Sequence, residues 1–205
     1  MGYQWNWGVF LQPSASGDDT YLGWMFAGFK MTIGLSLTAW VIALLLGALV
    51  GVLRTVPNKA LAGIATAYVE LFRNVPLLVQ LFIWYFVLPE LLPASIGNAY
   101  KQSNPVLQQF LASMVCLGLF TSARVAEQVR AGINSLPRGQ KNAGLALGFT
   151  LPQTYRFVML PMAFRLVVPP LTSEFLNIFK NSAVCSTIGL LELAAQGRQL
   201  VDYTA

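Results

Sequence analysis

The 205-residue sequence is 56% hydrophobic and 10% charged, whereas about 25% of the residues in a soluble domain are charged. A soluble protein of this length could not hide several long uncharged runs without aggregating, so we expect an integral membrane protein. The net charge of +5 comes from singly scattered basic residues, which argues against nucleic-acid binding, and the absence of histidine excludes serine–histidine triads and histidine-ligated metals.

The first two predicted membrane spans cover residues 31–53 and 62–88. Residues 31–53 carry no charge over about two dozen positions, enough for a helix to cross a hydrocarbon core about 30 Å thick. Gly47 and Gly51 have the small-xxx-small spacing that lets two membrane helices approach closely. In the second span, Pro76 predicts a kink.

Polar residues in and after the second span predict an ion pair and a loop. Glu70 and Arg73 are spaced to pair on one helix face. Residues 89–105 are predicted to form a polar loop, because they contain the turn formers Pro93, Gly97 and Asn98. The third span is predicted over residues 105–126.

The fourth predicted span, over residues 156–180, contains charged side chains, which in a membrane usually face a polar cavity or a partner. Glu174, Asn177 and Asn181 recur at i, i+3 and i+7 and form a polar stripe with Lys180 beside it. We predict that this stripe and Arg165 line a translocation pathway, in which Arg165 or Lys180 binds a carboxylate. Two alternatives stay open: the charges neutralise one another, or Lys180 reaches the membrane surface.

The distribution of basic residues predicts the orientation of the chain. They concentrate between spans one and two and between spans three and four, at Arg54, Lys59, Arg73, Arg124, Arg130, Arg138, Lys141 and Arg156. The opposite side receives Asp18, Asp19, Glu90 and Lys101. The positive-inside rule therefore predicts that the N-terminus lies outside and residues 127–155 lie in the cytoplasm. Residues 182–205 are too polar for a clear span and are predicted to be amphipathic or re-entrant.

The predicted cytoplasmic segment 127–155 is longer than a turn requires. Its sequence predicts a short helix from Pro137 to Leu147 that ends near Gly148. The small residues of this helix would let the surface of another protein come close to the backbone. The alternative is a helix that lies on anionic lipid headgroups, for which basic residues beside an apolar stripe are equally suitable.

The same segment contains a spaced motif. Asn142-Ala143-Gly144 is followed after three residues by Gly148, after nine more by Val158, and after one more by Leu160-Pro161. This pattern resembles the "EAA" loop of permease subunits in ATP-binding-cassette (ABC) importers, which reads Glu-Ala-Ala, Gly, Ile and Leu-Pro at the same spacings. The sequence departs from the motif at three positions, which are Asn142, Gly144 and Val158.

Further segments, among them VELFRNVPLLVQLF, RAGINSLPRGQ and STIGLLEL, resemble the polar amino acid permeases, especially those of glutamate/aspartate importers. The resemblance implies an all-α, multi-pass transmembrane bundle of the type I permease fold. It implies a single domain over residues 1–205 with four spans, and a fifth span that would follow Ala205. It also implies a bacterial inner-membrane location.

The resemblance also implies partners and site residues. ATPase subunits would dock on the loop through Gly139, Gln140, Asn142, Ala143, Gly144, Gly148, Leu160 and Pro161. A second permease subunit, identical or paralogous, would complete the pathway. A periplasmic or surface solute-binding protein would deliver a polar amino acid such as glutamate or aspartate.

The sequence has no Gly-Lys dipeptide and therefore no phosphate-binding loop. We expect no enzyme activity and no directly bound cofactor, with ATP and Mg²⁺ held by the partner ATPase. A stand-alone secondary amino acid carrier is the alternative, since such carriers also have broken helices and charges at mid-membrane depth, although they usually have more spans. An intramembrane enzyme is disfavoured because there is no histidine and no carboxylate pair with acid/base spacing.

Overall fold

The computed structural model describes residues 6–15, 17 and 19–204. Asp18, which contributes to the predicted external charge, lies outside these residues. Within them the chain is helical, as predicted. Its α-helices, in chain order, are α1 Tyr21–Leu53, α2 Lys59–Asn74, α3 Leu77–Phe82, α4 Leu88–Leu91, α5 Ala94–Lys101, α6 Pro105–Asn134, α7 Arg138–Ala146, α8 Leu151–Thr154, α9 Leu160–Asn181 and α10 Leu193–Thr204.

Shorter helical segments of other types join some of these helices. Two 3₁₀ segments cover Trp7–Leu11 and Ser182–Ile188. Two π-helical segments, Ile83–Val87 and Tyr155–Met159, connect α3 to α4 and α8 to α9. Single-turn π segments inside helices are frequent at functional sites.

Two of the described helices, α1 and α6, are each long and apolar enough to span a membrane. Two bent pairs bring the number of spans to four if each pair is one span. One pair joins Lys59–Asn74 to Leu77–Leu91 with a bend of 101°, and the other joins Leu151–Ile188 to Leu193–Tyr203 with a bend of 56°. The second predicted span is therefore a sharply broken helix rather than a kinked one.

The two unbroken helices pack tightly side by side. A Cβ atom on Gly47 would lie 2.6 Å from the carbonyl oxygen of Ser122, and one on Gly51 would lie 2.8 Å from the carbonyl oxygen of Ala126. The small-xxx-small spacing thus marks a close approach of backbones, as predicted. Because residue numbers rise together along this contact, α1 and α6 run parallel and end at the same membrane surface.

The break between α2 and α3 is stabilised by one side chain. The Gln80 Nε2 group donates hydrogen bonds to the carbonyl oxygens of Phe72, at 2.9 Å, and Val75, at 2.8 Å. Gln80 is itself buried. Backbone groups freed inside a membrane need such partners, because there is no water to bond them.

The polar loop predicted over residues 89–105 is wrong, because most of this connection is helical. Pro93 is the N-cap of α5, so it begins a helix instead of a turn. Gly97 permits a close contact, since a Cβ atom there would lie 2.6 Å from the Pro89 carbonyl oxygen. The connection is closed by an ion pair between Lys101 and Glu90 at 2.6 Å.

Helix α10 packs against the first turns of α1. Its amino end is fixed by the Glu192 carboxylate, which accepts hydrogen bonds from the backbone of Ala194 and Ala195 at 2.9 and 2.7 Å. The backbone N–H of Leu193 donates to Thr32 Oγ1 at 3.1 Å. The second bent pair is thereby held against α1 at the end opposite to α7.

Candidate functional site

A cluster of charged side chains lies between α1, α2 and α6, near the carboxyl ends of α1 and α6. Glu127 of α6 is its centre. Its carboxylate lies 2.6 Å from Arg54, 3.0 Å from Arg73 and 3.5 Å from Arg130. One carboxylate therefore joins α1, α2 and α6 through three guanidinium groups.

The partners of Glu127 differ in their freedom to move. The side chain of Arg54 is only 6% exposed, and its Nε also donates to Thr66 Oγ1 at 3.3 Å. The side chain of Arg73 is 49% exposed. Arg54 is thus fixed in the protein interior, whereas Arg73 can turn toward a ligand without leaving Glu127 unpaired.

A second carboxylate, Glu174 of α9, faces α6 across the bundle. Glu174 is buried, and its Oε1 atom lies 3.9 Å from the Arg124 guanidinium. Its Oε2 atom is buried without a hydrogen-bond partner among the described residues. Arg124 also stacks over the Phe120 ring, 5.0 Å from its centroid. A buried carboxylate with one loose partner can accept a hydrogen bond from a further donor.

These two groups enclose a cavity of about 270 Å³, lined by Arg73, Arg124, Glu127, Gln128 and Glu174. Four guanidinium groups in and behind its wall face two carboxylates, which leaves two positive charges in excess. Such a cavity can take an anion through charge-assisted hydrogen bonds, and Glu174 can accept from an ammonium group. This partly exposed cavity between the helices is the candidate substrate site.

Of the five predicted pathway residues, Glu174 lines this cavity. Arg165 lies elsewhere and is exposed: its neighbours Ala163 and Val167 pack against Gly132, two residues before the end of α6. Lys180 is exposed too, yet it follows Ile178, which packs with Leu117 near the middle of α6. Asn177 and Asn181 are half-buried on the same helix. Their role in a pathway stays a prediction.

One expected ion pair is wrong, and one of the alternatives left open for the fourth span is not observed. Arg73 pairs with Glu127 and not with Glu70, which is exposed and has no ion pair among the described residues. Glu174 approaches Arg124, so the predicted neutralisation by Arg165 or Lys180 does not occur. In both cases a residue on a neighbouring helix lies closer than the neighbour in sequence.

The sequence interpretation missed Arg124, Glu127 and Gln128 as site residues. It ended the third span at residue 126, where hydropathy falls, whereas α6 continues to Asn134. The signal that could have found them is their spacing, since Glu127 and Gln128 are three and four residues after Arg124 and share a helix face.

The helix predicted between Pro137 and Leu147 is present as α7, Arg138–Ala146. Gly148 follows two residues after the end of α7, and its φ of +87° favours glycine. The next helix begins with a capping box between Thr150 and Gln153. Gly144 is buried against α8, because a Cβ atom there would lie 2.7 Å from the Thr154 side chain. Gly144 thus joins α7 to α8 rather than facing outward.

The remaining motif residues divide between the exposed face and the interior. Gly139, Asn142, Ala143 and Gly148 are exposed, whereas Gln140 and Leu160 are half-buried and Pro161 is in the first turn of α9. The sequence interpretation missed large apolar side chains beside the exposed positions. Leu147 is 77% exposed, and Leu145 and Phe149 are partly exposed beside it. Such side chains on a protruding element are suited to contact another protein.

Comparison with known proteins gives the relationships of the chain. Residues 43–205 match the family model "Binding-protein-dependent transport system inner membrane component". The chain is 62% identical over 206 residues to the glutamate/aspartate import permease protein GltJ of Escherichia coli K12, which covers 100% of this chain and 84% of that protein. It is 32% identical over 190 residues to the glutamate/aspartate import permease protein GltK of Escherichia coli O6:H1, covering 93% of this chain and 80% of that one.

A solved structure is also similar. It is described as the crystal structure of an amino acid ABC transporter with histidines, and it matches with a TM-score of 0.73 and 30% sequence identity. The match covers 90% of this chain and 80% of that chain. The fold and the sequence therefore indicate the same relationship.

Proposed function

The chain belongs to the family of binding-protein-dependent transport system inner membrane components, and from this we propose that it carries glutamate and aspartate across the bacterial inner membrane. It is a permease subunit of an ABC importer and an inner-membrane protein with several spans. It is a transport subunit and not itself an enzyme. The proposed substrate is supported by the similarity to GltJ along the whole chain.

The observation that carries the substrate proposal is the excess of positive charge in the cavity between α6 and α9. A dicarboxylic amino acid has two carboxylates and one ammonium group, so its net charge is negative. Arg73 and Arg124 are the exposed guanidinium groups of the cavity wall, and each can bind one carboxylate. The buried Glu174 oxygen without a partner can accept from the ammonium group.

Lys180, Asn177 and Asn181 extend this site along α9. Lys180 is an exposed cation at the depth of the middle of α6, and among the described residues it has no ion pair. A lysine at that depth requires water or a polar partner. We assign it to a pathway wall that a second permease subunit completes. Arg165 would lie at the cytoplasmic mouth of this pathway.

The partners of the complex follow from the same proposal. ATPase subunits, which hold ATP and Mg²⁺, dock on the exposed face of α7. The second permease is proposed to be a paralogue of the GltK type, since GltK, like GltJ, is named a glutamate/aspartate import permease protein but is only 32% identical to this chain. A solute-binding protein delivers the amino acid from outside. The carboxyl ends of α1 and α6, next to the basic residues, face the cytoplasm.

The contacts of α7 suggest how ATPase closure reaches the spans. Gly144 packs on Thr154, and Tyr155 donates a hydrogen bond to the carbonyl oxygen of Thr55 at 2.8 Å. Movement of α7 is thereby passed to α8, then to α9 and to the end of α1. A rigid-body movement of α9 relative to α6 would change the separation of Glu174 and Arg124 and so open or close the cavity.

The experiment that tests this function measures uptake by the purified complex in proteoliposomes with a panel of labelled amino acids. The solute-binding protein is varied along with the amino acid, so that delivery does not limit the comparison. We expect uptake of glutamate and aspartate and little uptake of arginine or glutamine. Equal uptake of arginine when its own binding protein docks would contradict the selectivity assigned to the cavity.

A further inference from the structure

A second cavity, separate from the charged site, lies between α1, α6 and α9. It is an apolar groove of about 470 Å³. Val125 and Ile133 on α6 form part of its buried floor, and Leu45 and Phe164 on its rims are 71% and 65% exposed. The groove thus opens onto the outer surface of the spans, toward the bilayer or another subunit.

The groove ends at a polar cavity of about 500 Å³. This cavity lies beyond the carboxyl ends of α1 and α6 and is lined in part by Thr55, Asn134, Lys141 and Asn142. Ile133 lines both the groove and the polar cavity. Together they form one composite site that is apolar within the spans and polar at the membrane surface.

The polar cavity carries an uncompensated positive charge. Lys141 is its charged residue, and none of the described ion pairs includes it. Asn142, which lines the same cavity, is neutral and adds no negative charge to it.

The lining of the groove and the charge at its end indicate its occupant. Its α1 wall runs from Leu44 to Val52, about 12 Å of helix. Every lining side chain is apolar, so water does not fill the groove stably. The Lys141 ammonium group in the adjoining polar cavity complements the phosphate of a lipid, whereas an apolar helix has no group to pair with it.

We propose that this composite site binds one phospholipid, with an acyl chain in the groove and the phosphate at Lys141. The order of the two parts matches the lipid, because the apolar part lies within the spans and the cation lies at their end. The lipid would touch α1, α6 and α9 as well as α7. It would thus fill the space between α7, which docks the ATPase, and the helices α6 and α9, which line the charged cavity.

The test uses the purified transporter complex in nanodiscs that contain a photoreactive phosphatidylglycerol, with labelled peptides identified by mass spectrometry. Label is expected on the peptides that carry Ala48 and Ile133. Lys141→Gln should lower the labelling about tenfold, through loss of one charge-assisted contact. Ala48→Trp, which fills the exposed groove without entering the core, should reduce it to background.

Matched control variants are Lys59→Gln, an exposed cation at the same end of the spans, and Val41→Trp, an exposed α1 position outside the groove. Both should be labelled like the unchanged protein, and ATPase co-purification is checked in every variant first.

Equal labelling of all four variants would mean only non-specific lipid contact and would overturn the proposal. It would also be overturned if a Leu45→Cys variant of the assembled complex cross-linked to the second permease subunit while the lipid label was absent. The labelling does not depend on transport, so it is decided separately from the proposed substrate.

Discussion

At the scale of single residues, the feature that matters most is a buried carboxylate with an incomplete set of partners. Glu174 has one loose ion pair at 3.9 Å and one oxygen without a partner among the described residues. Polar groups left in this state cost free energy unless a ligand completes them. The same residue faces Arg124, whose side chain is 45% exposed and therefore accessible to a ligand.

The first prediction concerns Arg124→Gln. The change keeps a polar side chain but removes one charge-assisted contact to a substrate carboxylate, which is typically worth about 1.5–3 kcal/mol. We expect the maximal rate of glutamate uptake to fall by about tenfold or more. Lys30→Gln, an exposed α1 position far from the cavity, is the control. An unchanged maximal rate in Arg124→Gln would remove this residue from the site.

The second prediction concerns Glu127→Gln. This change leaves Arg54 charged and almost fully buried without a carboxylate, and breaking a buried pair in this way costs about 3 kcal/mol or more. Thermal unfolding of the purified protein in detergent should therefore shift to clearly lower temperature. Glu70→Gln, at an exposed glutamate without an ion pair in the described part of the chain, should cause no shift. If both variants unfold at the same temperature as the unchanged protein, the ion cluster does not stabilise the bundle.

Sequence reasoning found Glu174 but not its partners, for a physical reason. Intramembrane charges are rare, so a lone glutamate in an apolar run is conspicuous. Arg124 and Glu127 lie where the apolar run weakens, and there hydropathy cannot distinguish a helix that continues from one that ends. The pairing of Arg73 with Glu127 depends on how α2 and α6 pack, and no spacing along the sequence contains that information.

At the scale of secondary structure elements, the sequence predicts the position of α7 well. It does not predict which residues of α7 are exposed. Proline and glycine mark its ends, and these signals act locally, so the sequence contains them. Which face is exposed depends on α8: Gly144 is covered by Thr154, while Leu147 is 77% exposed. The motif therefore contains both a docking surface and a joint between two helices.

The third prediction follows from that exposed face. Leu147→Ala should weaken docking of the ATPase subunit, because the few anchoring side chains at the centre of an interface carry most of its binding energy, about 2 kcal/mol or more each. Co-purification of the ATPase should drop, and binding-protein-stimulated ATP hydrolysis should drop with it. Leu91→Ala provides a matched control, since Leu91 is 75% exposed at the opposite end of the spans. Full assembly with Leu147→Ala would place the docking surface elsewhere.

At the scale of the whole molecule, the fold brings one set of helix ends together with most of the basic residues. Helices α1 and α6 run parallel, and their carboxyl ends lie beside Arg54, Arg130 and Lys141. The pattern of apolar runs predicts four spans, whereas the described residues form two unbroken spanning helices and reach four spans only if each bent pair is one span. The 101° break at Pro76 depends on Gln80, whose side chain bonds the freed carbonyl oxygens, and a proline alone does not reveal this partner.

The fourth prediction tests the orientation. The native cysteines, Cys116 and Cys185, are both buried, so a single introduced cysteine on the surface can be labelled selectively. A membrane-impermeant maleimide should label Lys141→Cys in inside-out vesicles and Ser95→Cys in right-side-out vesicles. The reverse pattern would place α7 outside the cell and end its assignment as the ATPase-docking element.

The central claim is that this chain forms a passive pathway that is opened and closed by ATP hydrolysis in another subunit. The most direct measurement is uptake of labelled glutamate by proteoliposomes that contain the complete complex, with the binding protein outside and either ATP and Mg²⁺ or only ion gradients inside. We expect uptake with ATP and none with ion gradients of either sign. Uptake at an equal rate without ATP, driven by a gradient alone, would contradict the claim and indicate a secondary carrier.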